Sequence, residues 1–243
     1  MTTPKKRYPN VDLIRGMAIF LMFVYHTFWN LNYFELVYFK LASDQVWVWF
    51  ARFIAGVIIF VMGVCVVIST LNNKKPQINR QRLLVLFLSA GITSLVTFLI
   101  IPKGFIFFGI LHHIALTSLF LPFFLKLPTP IILLLIPVGM MTAIIEKSSA
   151  FDNPLLWWIG FSSSKIISVD FVPIFPWITL SIIGIAFGNW ELKRANSVLK
   201  MDWKPARKFK AIQFLGRNSL ILYLIHQPVF FGIFFLSKHF LVN

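Results

Sequence analysis

The chain has 243 residues, 58% of them hydrophobic and only 13% charged, with a mean hydropathy of +0.80. Soluble domains carry about 25% charged residues, so a soluble globular protein is excluded. The net charge of +15 would suggest nucleic acid in a soluble protein; here the basic residues are confined to particular loops, so they read as a topology signal and no nucleic acid is expected.

Seven apolar runs are long enough to cross about 30 Å of hydrocarbon. They are read at 13–33, 47–71, 83–101, 105–124, 130–145, 174–190 and 211–236. Asn30-Leu31-Asn32 breaks the far end of the first, and Pro102-Lys103-Gly104 stops the third. Pro130 opens the fifth and shortest run. Pro228 is expected to kink the seventh. The first run is read as a retained span, because Asp12 and Arg15 interrupt its start and no small-x-small cleavage site follows. Cys65 is the single cysteine and lies within the second run, without a partner for a disulfide or a thiolate site. No metal is expected.

Loop charges select one orientation. With the N-terminus in the cytoplasm, the inside segments hold fifteen basic residues and the outside segments six. The expected architecture is therefore all-α and polytopic, about seven transmembrane helices in a single domain over 1–243, N-terminus cytoplasmic and C-terminus outside. Two connections are longer than needed. The outer one, 146–173, ends in Asp170-Phe171-Val172-Pro173. The inner one, 191–210, has seven basic and two acidic residues, a net of +5. Anionic lipid headgroups or a polyanionic cytosolic ligand would both suit it.

The polar groups inside these runs carry the functional signal. Arg15 and His26 are eleven residues apart, roughly three full turns, so they share one helix face about 16 Å apart along the axis. That puts a cation at the membrane surface and a titratable ring near mid-bilayer. Asn30 lies one turn beyond His26. His112 is about seven residues into the fourth run, roughly 10 Å deep. His113 points about 100° away from it, so His112 is the first choice of the two. His226 is in the middle of the seventh run, beside Gln227, and Arg217 is at its inner end. Asp170 precedes the sixth.

Ionisable groups inside a bilayer are costly and mark functional sites by default. Any one histidine alone is as readily a satisfied structural residue. Three at similar depth on three helices are better explained by a shared polar cavity. Imidazoles there can exchange protons near neutral pH. A proton-coupled transporter with a histidine relay is the alternative; internal repeats would favour it, and none is found. A haem carrier would need paired facing histidines.

Four segments, taken together, resemble a known group. They are Asp12-Leu13-Ile14-Arg15-Gly16 with His26 through Phe34; Phe108-Gly109-Ile110-Leu111-His112; Asp170 through Trp177; and Gly216-Arg217-Asn218-Ser219 through His226-Gln227-Pro228. The pattern resembles the transmembrane acyltransferase superfamily. It is most similar to small bacterial relatives of the heparan-alpha-glucosaminide N-acetyltransferase catalytic domain, and it shares the Arg-x10-His motif with acyltransferase family 3. The resemblance implies a membrane-embedded acetyltransferase in a bacterial inner membrane. It would move an acetyl group from cytosolic acetyl-CoA to an envelope acceptor, an amino sugar or a glycan hydroxyl, on the far side. His26 would be the base or acyl carrier, with His112, His226 and Asp170 completing the catalytic set. Arg15, Asn30, Arg217 and Gln227 would bind substrates, Arg15 and Arg217 by facing the phosphates of CoA. In the lysosomal enzyme asparagine stands at the position of His26, so the role of His26 rests on family 3 and the bacterial relatives. Homodimerisation is compatible with the family.

Overall fold

The computed structural model describes residues 7–38, 40, 41, 43–73, 78–200 and 209–242. Lys5, Lys6, Lys74, Lys75, Lys204, Arg207 and Lys208, part of the expected charge asymmetry, lie outside the described residues. Among those described, the regular structure is helical: α1 (Pro9–Tyr33), α2 (Gln45–Asn73), α3 (Arg80–Ile100), α4 (Ile110–Phe124), α5 (Thr129–Met141), α6 (Ile178–Lys193), α7 (Lys210–Arg217) and α8 (Ser219–Val242). Four are long and apolar enough to cross a membrane: Pro9–Tyr33, Gln45–Asn72, Arg80–Ile100 and Ser219–Phe240. α4, α5 and α6 have 15, 13 and 16 residues, which at about 1.5 Å per residue falls short of about 30 Å. Along α3, Leu84, Leu88, Ile92, Leu95 and Leu99 are each more than half exposed on one face. Such a stripe is costly in water and costs nothing against lipid.

The chain forms two compact units, Met1–Ile58 with Arg194–Asn243, and Ile59–Lys193. In the first, α1 packs on α7 and α8. Pro9 starts α1 with a φ already helical, and Asp12 sits in the first turn, favourable to the helix dipole. α1 ends at Tyr33, where the apolar run is expected to stop, and the chain turns away just beyond: Glu35 takes φ 60 and the Glu35 and Leu36 N–H groups donate to the Asn32 and Leu31 carbonyls at 3.1 and 2.9 Å. The core of this unit is Ile19, Met22 and Ile54, with Leu215, Leu222 and Tyr223 against them. A Cβ on Gly16 would fall on the Ile212 carbonyl, and one on Gly216 on the Asp12 carbonyl. Glycine at both positions is what lets the backbones of α1 and α7 touch.

The expected seventh span is two helices. Asn218, at φ −103 and ψ 18, separates α7 from α8, and its amide donates to the Phe214 carbonyl at 2.9 Å. Asparagine competes for backbone groups in this way and favours helix ends over interiors. Pro228 lies inside α8.

In the second unit α4 starts at Ile110, not near Phe105. Residues 105–109 stay outside the helix because their backbone is committed sideways. The Ile106 N–H donates to Thr97 Oγ1 at 3.0 Å, and Ser94 Oγ donates to the Ile106 carbonyl at 2.6 Å. On the other side the Val172 N–H donates to the Phe108 carbonyl at 3.0 Å. α6 likewise starts at Ile178, four residues later than expected, because the Ile174 and Phe175 N–H groups donate to the Trp158 and Ile159 carbonyls. α5 ends at Met141 rather than 145. The 146–173 connection carries short 3-10 turns at Ser149–Phe151 and Pro154–Ile159. Asp152 clasps it, accepting from the hydroxyls of Ser162 and Ser163, both at 2.7 Å. Those bonds hold its carboxyl down at about 2.

Candidate active site

The first unit brings together four of the residues singled out from the sequence. His26 and Asn30 project from α1, and His226 and Gln227 from α8. The His26 and His226 rings lie 4.7 Å apart between centroids, tilted by 57°. Asn30 is 0% exposed; its Nδ2 donates to the His26 carbonyl at 2.7 Å and to Gln227 Oε1 at 3.2 Å. Phe23, Tyr223 and Phe230 surround His226, with ring centroids at 5.9, 5.5 and 6.0 Å, and Tyr25 stands edge-on to His26 at 5.4 Å.

The unspent valences here are the informative feature. His226 Nδ1–H donates to the Tyr223 carbonyl at 2.6 Å, which leaves Nε2 as the lone-pair nitrogen. His226 Nε2, His26 Nδ1 and Asn30 Oδ1 are all buried with no hydrogen-bond partner. A buried polar atom without a partner costs about 1–3 kcal/mol. Three on two facing helices form a cluster suited to the hydrogen-bonding groups of a polar ligand.

At the N-terminal ends of the same helices, the Arg15 Nη2 donates to Ser219 Oγ at 2.5 Å. The Arg217 Nε and Asp12 Oδ2 are 3.3 Å apart, with side-chain exposures of 45% and 15%. Both motif arginines therefore have partners within the motif segments.

The second unit holds His112 and Asp170. Because α4 starts late, His112 lies in its first turn rather than seven residues deep. Its Nδ1 accepts from the Gly109 N–H at 3.3 Å, so Nε2 carries the hydrogen and donates to Ser94 Oγ at 3.0 Å. Both nitrogens are in use. His113, 0% exposed, donates from Nδ1 to the Pro173 carbonyl at 3.2 Å, and its Nε2 is buried without a partner.

The Asp170 carboxylate bonds to backbone: its Oδ2 accepts from the Ile110 N–H at 2.9 Å and caps α4 from across the loop. Gly109 makes the approach feasible, since a Cβ there would land on that carboxylate. The residue keeps some exposure, but its carboxyl is desolvated, which pushes it from the ordinary 3.8 up to about 6 against the lowering effect of the Ile110 bond.

Sequence reading missed Ser219, Ser94 and Gly109. Ser219 and Gly109 lie inside segments of evident motif character, and that was their signal. Ser94 carries none, since a serine in an apolar helix is common. Among the described residues no group of three or more His, Cys, Asp or Glu could hold a metal ion.

Membrane-length apolar helices, and a buried histidine pair with open valences between two of them, define an integral membrane protein with a polar site inside its helical bundle. Residues 7–228 match the family described as heparan-alpha-glucosaminide N-acetyltransferase, catalytic, and the chain belongs to that family. No curated protein and no solved structure matches it. Membership gives the chain an acetyltransferase-like role in a membrane, as the motifs led us to expect.

Proposed function

We propose that this protein takes an acetyl group from cytosolic acetyl-CoA and delivers it to an amino sugar or glycan hydroxyl on the far side of a bacterial inner membrane. The observation that carries this reading is the open valence of His26 Nδ1, His226 Nε2 and Asn30 Oδ1 on facing helices. Acetyl transfer from a thioester needs a base for the acceptor proton or a nucleophile to hold the acetyl group. His26 fills that role. With His26 as base, the acceptor N–H or O–H gives up its proton to the imidazole and its heteroatom attacks the thioester carbonyl. The C–S bond then breaks, and the CoA thiolate leaves and recovers a proton. His226 Nε2 and Asn30 Oδ1 are hydrogen-bond acceptors and suit the N–H and O–H groups of the acceptor. Gln227 orients Asn30.

Arg15 and Arg217 supply positive charge at the helix ends that the loop charges assign to the cytoplasm, where CoA phosphates would approach. Arg15 spends one donor on Ser219 and has others to give. His112 and Asp170 support the acceptor side, Asp170 by fixing the start of α4. The whole chain acts as one catalytic domain, and a homodimer is compatible with it.

The test is acetyl-CoA binding and slow CoA release by purified protein in detergent, wild type beside His26→Ala and Arg15→Ala. The expected result is binding by wild type, weaker binding by Arg15→Ala, and CoA release lost in His26→Ala. Folded wild-type protein that binds no acyl-CoA would overturn the reading.

A further inference from the structure

α7 is fixed to α1 by the contact of backbones at Gly16 and Gly216. α8 does not inherit that placement, because the chain leaves the helical conformation at Asn218. Whatever aligns His226 with His26 must therefore act after Asn218. The first side-chain tie beyond it is Ser219 Oγ, which accepts from Arg15. Arg217 to Asp12 is the last tie before it. Two braces thus straddle the one break in the segment, each reaching back to the same turn of α1.

The spacing closes on the histidines. Arg15 and Ser219 meet near the start of the two helices, and His26 and His226 meet further along both, so α1 and α8 run parallel. From Arg15 to His26 is eleven residues, roughly 16 Å, and from Ser219 to His226 is seven, roughly 10 Å. The difference of roughly 6 Å at this helical rise is about the reach of an arginine side chain directed along the helix. Between the two contacts Ile19 and Met22 on α1 pack with Leu222 on α8, all apolar. Apolar packing of this kind tolerates sliding, whereas a directional hydrogen bond does not; α1 and α8 share two that flank this stretch, Arg15 to Ser219 before the histidines and Asn30 to Gln227 just beyond them.

We propose that Ser219 is a positioning residue: through Arg15 it fixes the N-terminal end of the register of α8 on α1 that places His226 against His26, the Asn30–Gln227 bond holding the other end. This rests on the acetyltransferase reading for its consequence in catalysis but not for its geometry. The Arg-x10-His spacing then has a mechanical meaning. Its arginine and its histidine are the two ends of one registered helix pair.

The experiment has two readouts on the full chain in detergent. The first is crosslinking between cysteines placed at 26 and 226 in a Cys65→Ser background, with a short thiol-to-thiol reagent. The second is steady-state acetyl transfer by the protein with its histidines intact. Ser219→Ala leaves the Arg15 charge in place, so the KM for acetyl-CoA is expected to stay within about twofold while kcat falls about tenfold or more. Crosslinking is expected to slow several-fold in Ser219→Ala and to return in Ser219→Thr. Crosslinking unchanged in Ser219→Ala overturns the proposal, whether or not kcat falls. A raised KM with kcat intact also overturns it, since Ser219 would then serve substrate binding. If wild type transfers no acetyl group but crosslinking still depends on Ser219, the register stands and the acetyltransferase reading fails.

Discussion

The two histidine environments contrast sharply. In the unit built on α1, α7 and α8, His26 Nδ1 and His226 Nε2 are buried with nothing to bond. In the other, His112 has both nitrogens committed, one to the Gly109 N–H and one to Ser94, while its neighbour His113 spends Nδ1 on the Pro173 carbonyl and keeps Nε2 buried without a partner. From sequence these residues are equivalent, each a histidine within an apolar run. Their surroundings divide the work between them. A ring with an open lone pair can take a proton from a substrate, whereas a ring that already caps a helix holds structure in place.

The largest effect that would sharpen this contrast is on chemistry. His26→Ala is expected to lower acetyl transfer by about 10²–10⁴-fold, the usual contribution of a positioned base, with acetyl-CoA binding retained; CoA release against binding on the same preparation checks it. A loss of binding equal to the loss of transfer would break the contrast.

Next comes the exchange of phenotypes between the two sites. His226→Phe, which keeps a ring of similar bulk, is expected to remove activity with little change in thermal unfolding. His112→Ala is expected to lose about 1–3 kcal/mol of stability, because the Gly109 N–H and Ser94 are left short of partners. Thermal unfolding and acetyl transfer measured on both variants decide it. Equal losses in both readouts for both variants would erase the distinction.

Gly109→Ala is a finer probe of the second unit. Its methyl would displace the Asp170 carboxylate from the start of α4, with a cost of about 1–3 kcal/mol. An Asp170→Asn background should reduce that cost little, since the clash is steric and not electrostatic.

A last probe is pH dependence. The Asp170 carboxyl is raised in the fold from 3.8 to about 6. Between those values the folded protein holds a proton that the unfolded chain releases. Its contribution to stability is therefore full below about 3.8, falls as pH rises through that window, and is flat above about 6. Asp170→Asn, which still accepts from Ile110, should flatten this part of the unfolding curve. An unchanged slope would remove Asp170 as its source.

Much of the first unit is legible in the chain. Arg15, His26 and Asn30 fall on one face because helical periodicity over an uninterrupted run leaves no other arrangement. His226 and Gln227 are marked as costly polar residues in an apolar segment. Their pairing with α1 is not legible, since nothing local says which helix α8 meets. The second unit is less legible. The run 105–124 has the hydropathy of a full span, yet its first five residues are not helical. The cause is hydroxyls on α3, Thr97 and Ser94, that take up Ile106. That shift of five residues carries His112 from the expected depth to the first turn of α4.

The sequence by itself determined the solvent, the helical class, the family and the residues that carry charge into the apolar runs, because these follow from composition, periodicity and local motif. The tertiary structure alone decided which nitrogens stay unbonded, where α7 ends and α8 begins, and that Ser219 meets Arg15. Those are properties of pairs of residues as many as 204 positions apart, and a hydrogen-bond partner at that separation is chosen by packing, which no local pattern encodes.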